Sequence, residues 1–357
     1  MGRRAFIWWR VLLLAGILPA GVSSSAAWAV SDSLYVETRQ AMGTTIEVYL
    51  YAADAGRAAA LFEAVFEEIE RIEAALSTYR PSSELSRLNT YADAMTVTTD
   101  PEVFGLIGRA LAYSRHTDGA FDITVGRLMK AWGFFRGRGR FPSRDELTEA
   151  RKQTGWQYVT LDTTARAVRF GRMGLTLDLG AIGKGYAIDQ VARLLRAQGV
   201  GAALIGTGQS SYYAVGAPPG EDGWPIKVPA PFDRAQTLST VRLRDAALST
   251  SGNYEKFFEL DGQRYCHIMD PRTGRPVEGM VQVTVIAPNA TDSDALATSV
   301  FVLGPDAGAA LLDDHPGTAA LLVTGTVEQA GVVSLGWPEA VEMVSQTGTN
   351  SNQPEKP

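Results

Sequence analysis

The chain has 357 residues, 45% hydrophobic and 20% charged, with 36 glycines, a composition that excludes a disordered, collagenous or polytopic membrane chain. Its length allows one large domain or two smaller ones, and its formal charge of −6 argues against nucleic acid as a partner. Cys266 is the single cysteine, which excludes an intramolecular disulfide and a cysteine-based structural zinc site.

From the N-terminus, Arg3, Arg4 and Arg10 precede the apolar run Val11 to Val22, and Ala27-Trp28-Ala29 has the small-x-small form of a secretory cleavage site. Residues 1–29 therefore read as a signal peptide, since about 12 apolar residues fall short of the roughly 20 that span a bilayer. Gly2-Arg3-Arg4-Ala5-Phe6-Ile7 resembles a twin-arginine export signal, and ordinary secretion signals carry paired arginines too. No cysteine stands at the cleavage site, so a lipoprotein anchor is not expected. The expectation is an exported, periplasmic protein.

Extended segments follow at Tyr35 to Thr38 and Thr45 to Tyr51. From Arg57 to Leu76, the residues Leu61, Phe62, Val65, Phe66, Ile69, Ile72 and Leu76 fall on one helical stripe. Pro101 opens a second helix with Val103, Leu106, Ile107, Ala110 and Leu111 inward, and Gly119 ends it. Phe134 to Arg151 reads as a surface loop or small inserted lobe. Short alternating runs between Trp156 and Leu179, such as Val168, Phe170 and Leu175-Thr176-Leu177, predict strands. A third helix is expected from Gly185 to Ala197. Strands follow at Ala202–Ile205, Ile226–Val228, Val241–Leu243, Gln282–Ile286 and Ala319–Val323, with a helix near Ser293 to Leu303. Residues 346–357 are polar and read as a disordered tail. The pattern favours an α+β class over a βαβ repeat.

Familiar catalytic motifs are absent. The three histidines, His116, His267 and His315, do not form a zinc-protease pair, and no Gly-x-Ser-x-Gly elbow occurs. Gly180-Ala181-Ile182-Gly183-Lys184-Gly185 lacks the first glycine and the final Ser or Thr of a phosphate loop. Glycines and a lysine at a helix start still suit a phosphate, through backbone N–H groups, the positive helix end and an ammonium.

Four segments combine residues that packing alone does not require. Asp118-Gly119-Ala120-Phe121-Asp122 is a tight turn leading to an expected strand, with an ordinary helix C-cap as the simpler account. Asp178 leads into the glycines and Lys184, with a salt bridge between the two as the simpler account. His267-Ile268-Met269-Asp270 runs into a Pro- and Gly-marked turn. Asp294 and Thr298 lie four apart on one helix face. Their carboxylate and hydroxyl are hard oxygen donors suited to Mg²⁺, with N-terminal capping by Asp294 as the alternative.

Together these segments resemble the ApbE family of FAD:protein FMN transferases. Matching pieces run in family order: Ala41-Met42-Gly43-Thr44, Leu76-Ser77-Thr78-Tyr79-Arg80, Gly119-Ala120-Phe121-Asp122, and Asp178 through Tyr186. Thr250-Ser251-Gly252-Asn253-Tyr254, His267 through Gly274, and Asp294-Ala295-Leu296-Ala297-Thr298 complete the series. The resemblance implies an ApbE-like, T-fold-like α+β fold of mixed sheet and helices with a smaller attached lobe, spanning residues 30–345. It implies a Mg²⁺-dependent enzyme that passes FMN from FAD to a Thr or Ser hydroxyl of a target flavoprotein and releases AMP. By the same resemblance, the metal would be held by Asp294, Thr298 and the carbonyl of Ala181. Flavin contacts would come from Met42, Tyr79, Gly119, Ala120, Phe121, Asp122, Asp178, Lys184, His267 and Ile268. Catalytic roles fall to Lys184, Asp294 and His267, the last as the base that deprotonates the incoming hydroxyl, with Asp270 or Asp294 as alternatives.

One segment departs from the family pattern. Ile205-Gly206-Thr207-Gly208-Gln209-Ser210-Ser211 stands where an Asn-x-Gly-Gly-Asp type turn is usual, so the acidic contact made there is missing. This variant turn and the twin-arginine-like start look like the branch tied to nitrous oxide reductase maturation, whose acceptor would be a membrane-bound, FMN-carrying regulator with an exported domain. Two other functions are compatible with the same residues: an FAD pyrophosphatase, in which water replaces the hydroxyl, and a non-enzymatic periplasmic flavin-binding assembly factor.

Overall fold

The structure, a computed structural model, describes residues 32–339 apart from 136, 138, 209, 327 and 328. The expected signal peptide, the polar tail and Gln209 lie outside the described residues.

An eight-stranded sheet organises the chain. Its strands are β1 (Ser33–Ala41), β2 (Thr44–Ala52), β3 (Ala203–Thr207), β4 (Ser211–Val215), β5 (Ala246–Gly252), β6 (Met280–Ala287), β7 (Ala319–Gly325) and β8 (Ala330–Leu335). They lie side by side in that order, every neighbouring pair antiparallel. Alternation along the strands divides their side chains between two layers. In β3, Ala203 and Ile205 face the helices while Leu204 faces away.

The helical layer carries the site. Asp54 caps α1 (Ala55–Leu76) by accepting from Arg57 N at 2.8 Å, and the expected stripe from Leu61 to Leu76 is buried. Helices α2 (Glu84–Tyr91), α3 (Pro101–His116) and α4 (Gly126–Ala131) follow in the chain, then α5 (Arg144–Lys152) and α6 (Gly183–Ala197). Next come α7 (Ala290–Leu303) and α8 (Pro305–Asp313). In α7 only Asp292, Thr298 and Leu303 escape full burial, so this helix has no solvent face and lies in the middle of the core. The opposite sheet face is covered by a hairpin of Trp224–Pro229 and Thr237–Leu243, together with Trp337.

A smaller lobe gathers Leu128, Trp132, Phe134, Ala150, Tyr265 and Met269 from α4 and the residues after it, α5, the hairpin Phe257–Leu260/Gln263–Cys266 and the segment that follows the hairpin. The segment Phe134 to Arg151, expected as a surface loop or a small inserted lobe, is thus part of this lobe, and its second half is the helix α5. Its start was visible in the sequence, because Ser143 and Glu146 form a reciprocal capping box.

Three other expectations need correction. Leu175-Thr176-Leu177 is not a strand, because the Asn89 side chain takes the place of a neighbouring strand. It accepts from Leu177 N at 2.7 Å and donates to Leu177 O at 2.9 Å. The turn at Gly119–Asp122 leads to the short helix α4 and not to a strand, since Asp122 folds the chain back by accepting from Thr124 N at 2.7 Å. Finally, α7 begins at Ala290 with Asn289 as its cap. Asp294 is therefore no N-cap; it lies in the second turn.

Candidate active site

Helices α6 and α7 run antiparallel and touch at Gly185. A Cβ there would fall 2.1 Å from Ala290 O and 2.9 Å from Asp294 Cβ, a distance only glycine tolerates. Contact at this range lets Gly185 N donate to Asp294 Oδ2 at 3.0 Å. The other oxygen, Oδ1, faces Lys184 Nζ at 3.9 Å, too far for a hydrogen bond. Asp294 is only 6% exposed, so it is a buried carboxylate with one oxygen satisfied and the other offered to a cation across a gap. Lys184 Nζ donates to Gly180 O at 3.2 Å. The simpler account of a direct Asp178–Lys184 bridge is not what forms: Asp178 accepts from Gly180 N at 2.8 Å. Burial raises the Asp178 carboxyl above its ordinary value, opposed by that hydrogen bond and by the charges of Lys256 and Lys184.

Thr298 stands one turn after Asp294, with its hydroxyl 3.5 Å from Ser251 Oγ on β5. Ala181 stands one residue before the Ile182 cap of α6 and is half-buried. These donors are all oxygen, with one carboxylate among them, and no group of three or more His, Cys, Asp or Glu converges here or elsewhere among the described residues. A single carboxylate with neutral oxygens fits Mg²⁺, which keeps several waters and binds substrate phosphates. Asp294 Oδ1, facing Lys184 across 3.9 Å without a hydrogen bond, is the observation that makes the fit.

The phosphate cradle expected at the start of α6 is only partly available. That start has no side-chain cap, but Gly183 N donates to Leu179 O at 2.7 Å and Gly185 N is engaged by Asp294.

His267 is fixed by its neighbour across the lobe hairpin. Its backbone N donates to Lys256 O at 2.9 Å, and its ring Nδ1 lies 3.2 Å from the same oxygen. A carbonyl only accepts, so Nδ1 carries the proton and Nε2 keeps its lone pair. Burial, reinforced by the positive charges of Lys256 and Lys184, pushes the imidazole down to about 4, so it is neutral at pH 7. Asp270, the alternative base, is paired with Arg272 at 2.9 Å. Beside His267 lies a cavity of about 300 Å³ lined by Phe134, Gly137, Glu255, Lys256 and Phe257. Desolvation raises the Glu255 carboxyl, with the charge of Asp294 pushing the same way against Lys184, Arg234 and Lys256. Sequence reasoning missed Glu255 and Lys256, although they directly follow the quoted Thr250–Tyr254 piece.

The remaining flavin candidates divide into two kinds. Met42, at φ 51° in the β1–β2 turn, donates its N–H to Glu73 at 2.8 Å and packs by Ala187 and Ile188 of α6. Tyr79 is half-exposed and stacks on Phe135, ring centroids 5.0 Å apart and planes 4° from parallel. By contrast, Ala120, Phe121 and Ile268 are buried in the core. Both Asp122 oxygens hold backbone N–H groups, of Thr124 at 2.7 Å and Trp156 at 2.9 Å. Gly119, at φ 77°, supplies the left-handed bend of this turn.

Among solved structures, this fold is similar to that of flavin transferases. The ApbE protein of Thermotoga maritima matches with a TM-score of 0.78 at 32% identity, over 85% of this chain and 97% of that one. The apo flavinyl transferase ApbE of Pseudomonas stutzeri matches with 0.77 at 32%, over 86% and 96%. The model of the ApbE family matches residues 42–322, and the chain belongs to that family. Among curated relatives, the FAD:protein FMN transferase of Treponema pallidum (strain Nichols) is 34% identical, over 89% of this chain and 91% of the relative. That of Escherichia coli (strain K12) is 33% identical, over 74% and 77%.

Proposed function

We propose that the chain is an FAD:protein FMN transferase that works with Mg²⁺. It passes FMN from FAD to a Thr or Ser hydroxyl of a target flavoprotein and releases AMP. The observation that carries this reading is Asp294: a buried carboxylate with one oxygen held by Gly185 N and the other facing Lys184 at 3.9 Å. Asp294, Thr298 and the Ala181 carbonyl would hold Mg²⁺, which when bound supplies neutralisation of phosphate charge. Lys184 presents an ammonium to the pyrophosphate. His267 accepts the acceptor's proton at Nε2, the acceptor oxygen bonds to the FMN phosphorus, and the bond from that phosphorus to the bridging oxygen breaks, so AMP leaves. Met42 and Tyr79 offer apolar and aromatic surface to the flavin nucleotide. Gly119–Asp122 acts through the shape of its turn, because its side chains are committed to the core and to backbone N–H groups.

The proposal extends to place and partner. The segment 1–29 supports export to the periplasm, and the Gly206–Ser210 variant supports an acceptor of the nitrous oxide reduction branch, membrane-bound with an exported domain.

The test is intact-protein mass spectrometry of an acceptor domain incubated with the mature chain, FAD and Mg²⁺, beside EDTA and Asp294→Ala controls. A gain of one FMN that needs both metal and Asp294 is expected. FAD cleaved to FMN and AMP with the acceptor unchanged would replace the transferase by a pyrophosphatase. FAD bound but intact would replace it by a carrier.

A further inference from the structure

Asp189 lies one helical turn after Gly185 on the same face of α6, and its carboxylate reaches across to the start of α7. Oδ1 accepts from Ala290 N at 2.7 Å, and Oδ2 accepts from Thr291 N at 2.9 Å and from the Thr291 hydroxyl. Asn289 accepts from Asp292 N at 2.9 Å with its side chain and from Ser293 N at 3.1 Å with its carbonyl. All four opening N–H groups of α7 are therefore taken, and two of them are taken by a residue of another helix. Ala290 is in turn one helical turn before Asp294. The two antiparallel helices are thus joined by two rungs a turn apart: Asp189 to Ala290 and Thr291, and Gly185 to Asp294.

We propose that Asp189 is a positioning residue for the cation site. By clamping the start of α7 onto α6, it fixes the interval at which Asp294 faces Lys184, and so sets the affinity for Mg²⁺. The inference rests on the Mg²⁺ reading above. The geometry also separates two roles. A carboxylate that only capped α7 would not need to come from the helix that carries Lys184, and the intrahelical cap is already supplied by Asn289. The hydrogen bonds of Asp189 go to Ala290 and Thr291 and not to Lys184 or Asp294, so its effect passes through the helix pair. A mobile second rung would let Asp294 Oδ1 close on Lys184 as a direct ion pair and withdraw it from the metal.

Asp189→Asn keeps the shape but turns an N–H donor toward the α7 amides, and Thr291→Val removes only the hydroxyl contact. Each is compared with the full mature chain by calorimetric titration with MgCl₂ in the presence of FAD, and by FAD binding in EDTA followed by flavin fluorescence. The expected result is a tenfold or greater loss of Mg²⁺ affinity in Asp189→Asn and a severalfold loss in Thr291→Val. FAD binding in EDTA should stay within twofold, and turnover should recover as Mg²⁺ is raised. Unchanged Mg²⁺ affinity with only a lowered melting temperature would overturn the positioning role and leave a structural cap. If Asp189→Asn does not fold, Thr291→Val decides: unchanged affinity there overturns the inference. Absence of Mg²⁺ binding by the unaltered chain would instead overturn the metal reading itself.

Discussion

At the scale of single residues, the site depends on atoms that are left incompletely satisfied. Gly185 is the tightest constraint. Gly185→Ala puts a methyl group against a backbone carbonyl, and overpacking of this kind costs about 1–3 kcal/mol. The helices must separate to accept it, so Mg²⁺ affinity should fall together with the melting temperature; an unchanged affinity by calorimetry would contradict the account of the helix contact. His267 gives a pH prediction. With its folded value lowered to about 4 from an ordinary 6.5, the unfolded chain binds the extra proton between those two values. Its contribution to stability is therefore complete above pH 6.5 and lost as pH falls toward 4. An NMR titration of the imidazole in the FAD-free protein should show a midpoint near 4, and a midpoint at 6.5 would remove the desolvation argument. Most of these residues were legible in the sequence, since Lys184, Asp294, Thr298 and His267 each belong to a recognisable segment. Asp189 and Gly185 were not read for their roles, because contact between two helices about a hundred residues apart is a property of packing.

At the scale of elements, the segment leading into α6 shows how the fold positions chemistry without regular structure. Residues 171–182 belong to no strand or helix, yet Asp93 holds Gly174 N at 2.8 Å and Asn89 holds both backbone groups of Leu177. Ile123 O accepts from Asp178 N at 2.7 Å. Alternating apolar residues predicted a strand here because side-chain pattern reports burial and is silent on what satisfies the backbone. Asn89→Leu removes both bonds and leaves buried backbone groups unpaired, which should cost about 1–3 kcal/mol and appear as accelerated amide exchange at Leu177. If exchange at Leu177 is unchanged, the anchoring role fails. In α5 the capping box was present in the sequence and went unread, because its charged and glycine-rich surroundings resemble a loop. Ser143→Ala should lower stability by about 1 kcal/mol in denaturant unfolding, with Mg²⁺ affinity unaffected.

For the whole molecule, the α+β class and the attached lobe were foreseen, while the order of strands in the sheet was not, since no local pattern encodes which strands become neighbours. The strand β6 is an interior strand of that sheet, buried along nearly its whole length between β5 and β7. Its amides should exchange most slowly, close to the rate set by global unfolding, and those of the edge strand β1 should exchange fastest of the sheet. The placement of β2 has a kinetic consequence. Its partner across the sheet is β3, so Ile46 pairs with Thr207 and Leu50 with Ala203, and everything from α1 to the end of α6 must be accommodated in the loop between them. Closing a loop of this length precedes any reward from the contacts it brings. Until the ribosome has delivered Ala203, the β1–β2 hairpin has no sheet to join, and until it has delivered Asp294 the contact between α6 and α7 cannot form. Folding of the chain is therefore expected to be slow, with the β1–β2 hairpin waiting for its sheet partner while the residues from α1 to α6 are made.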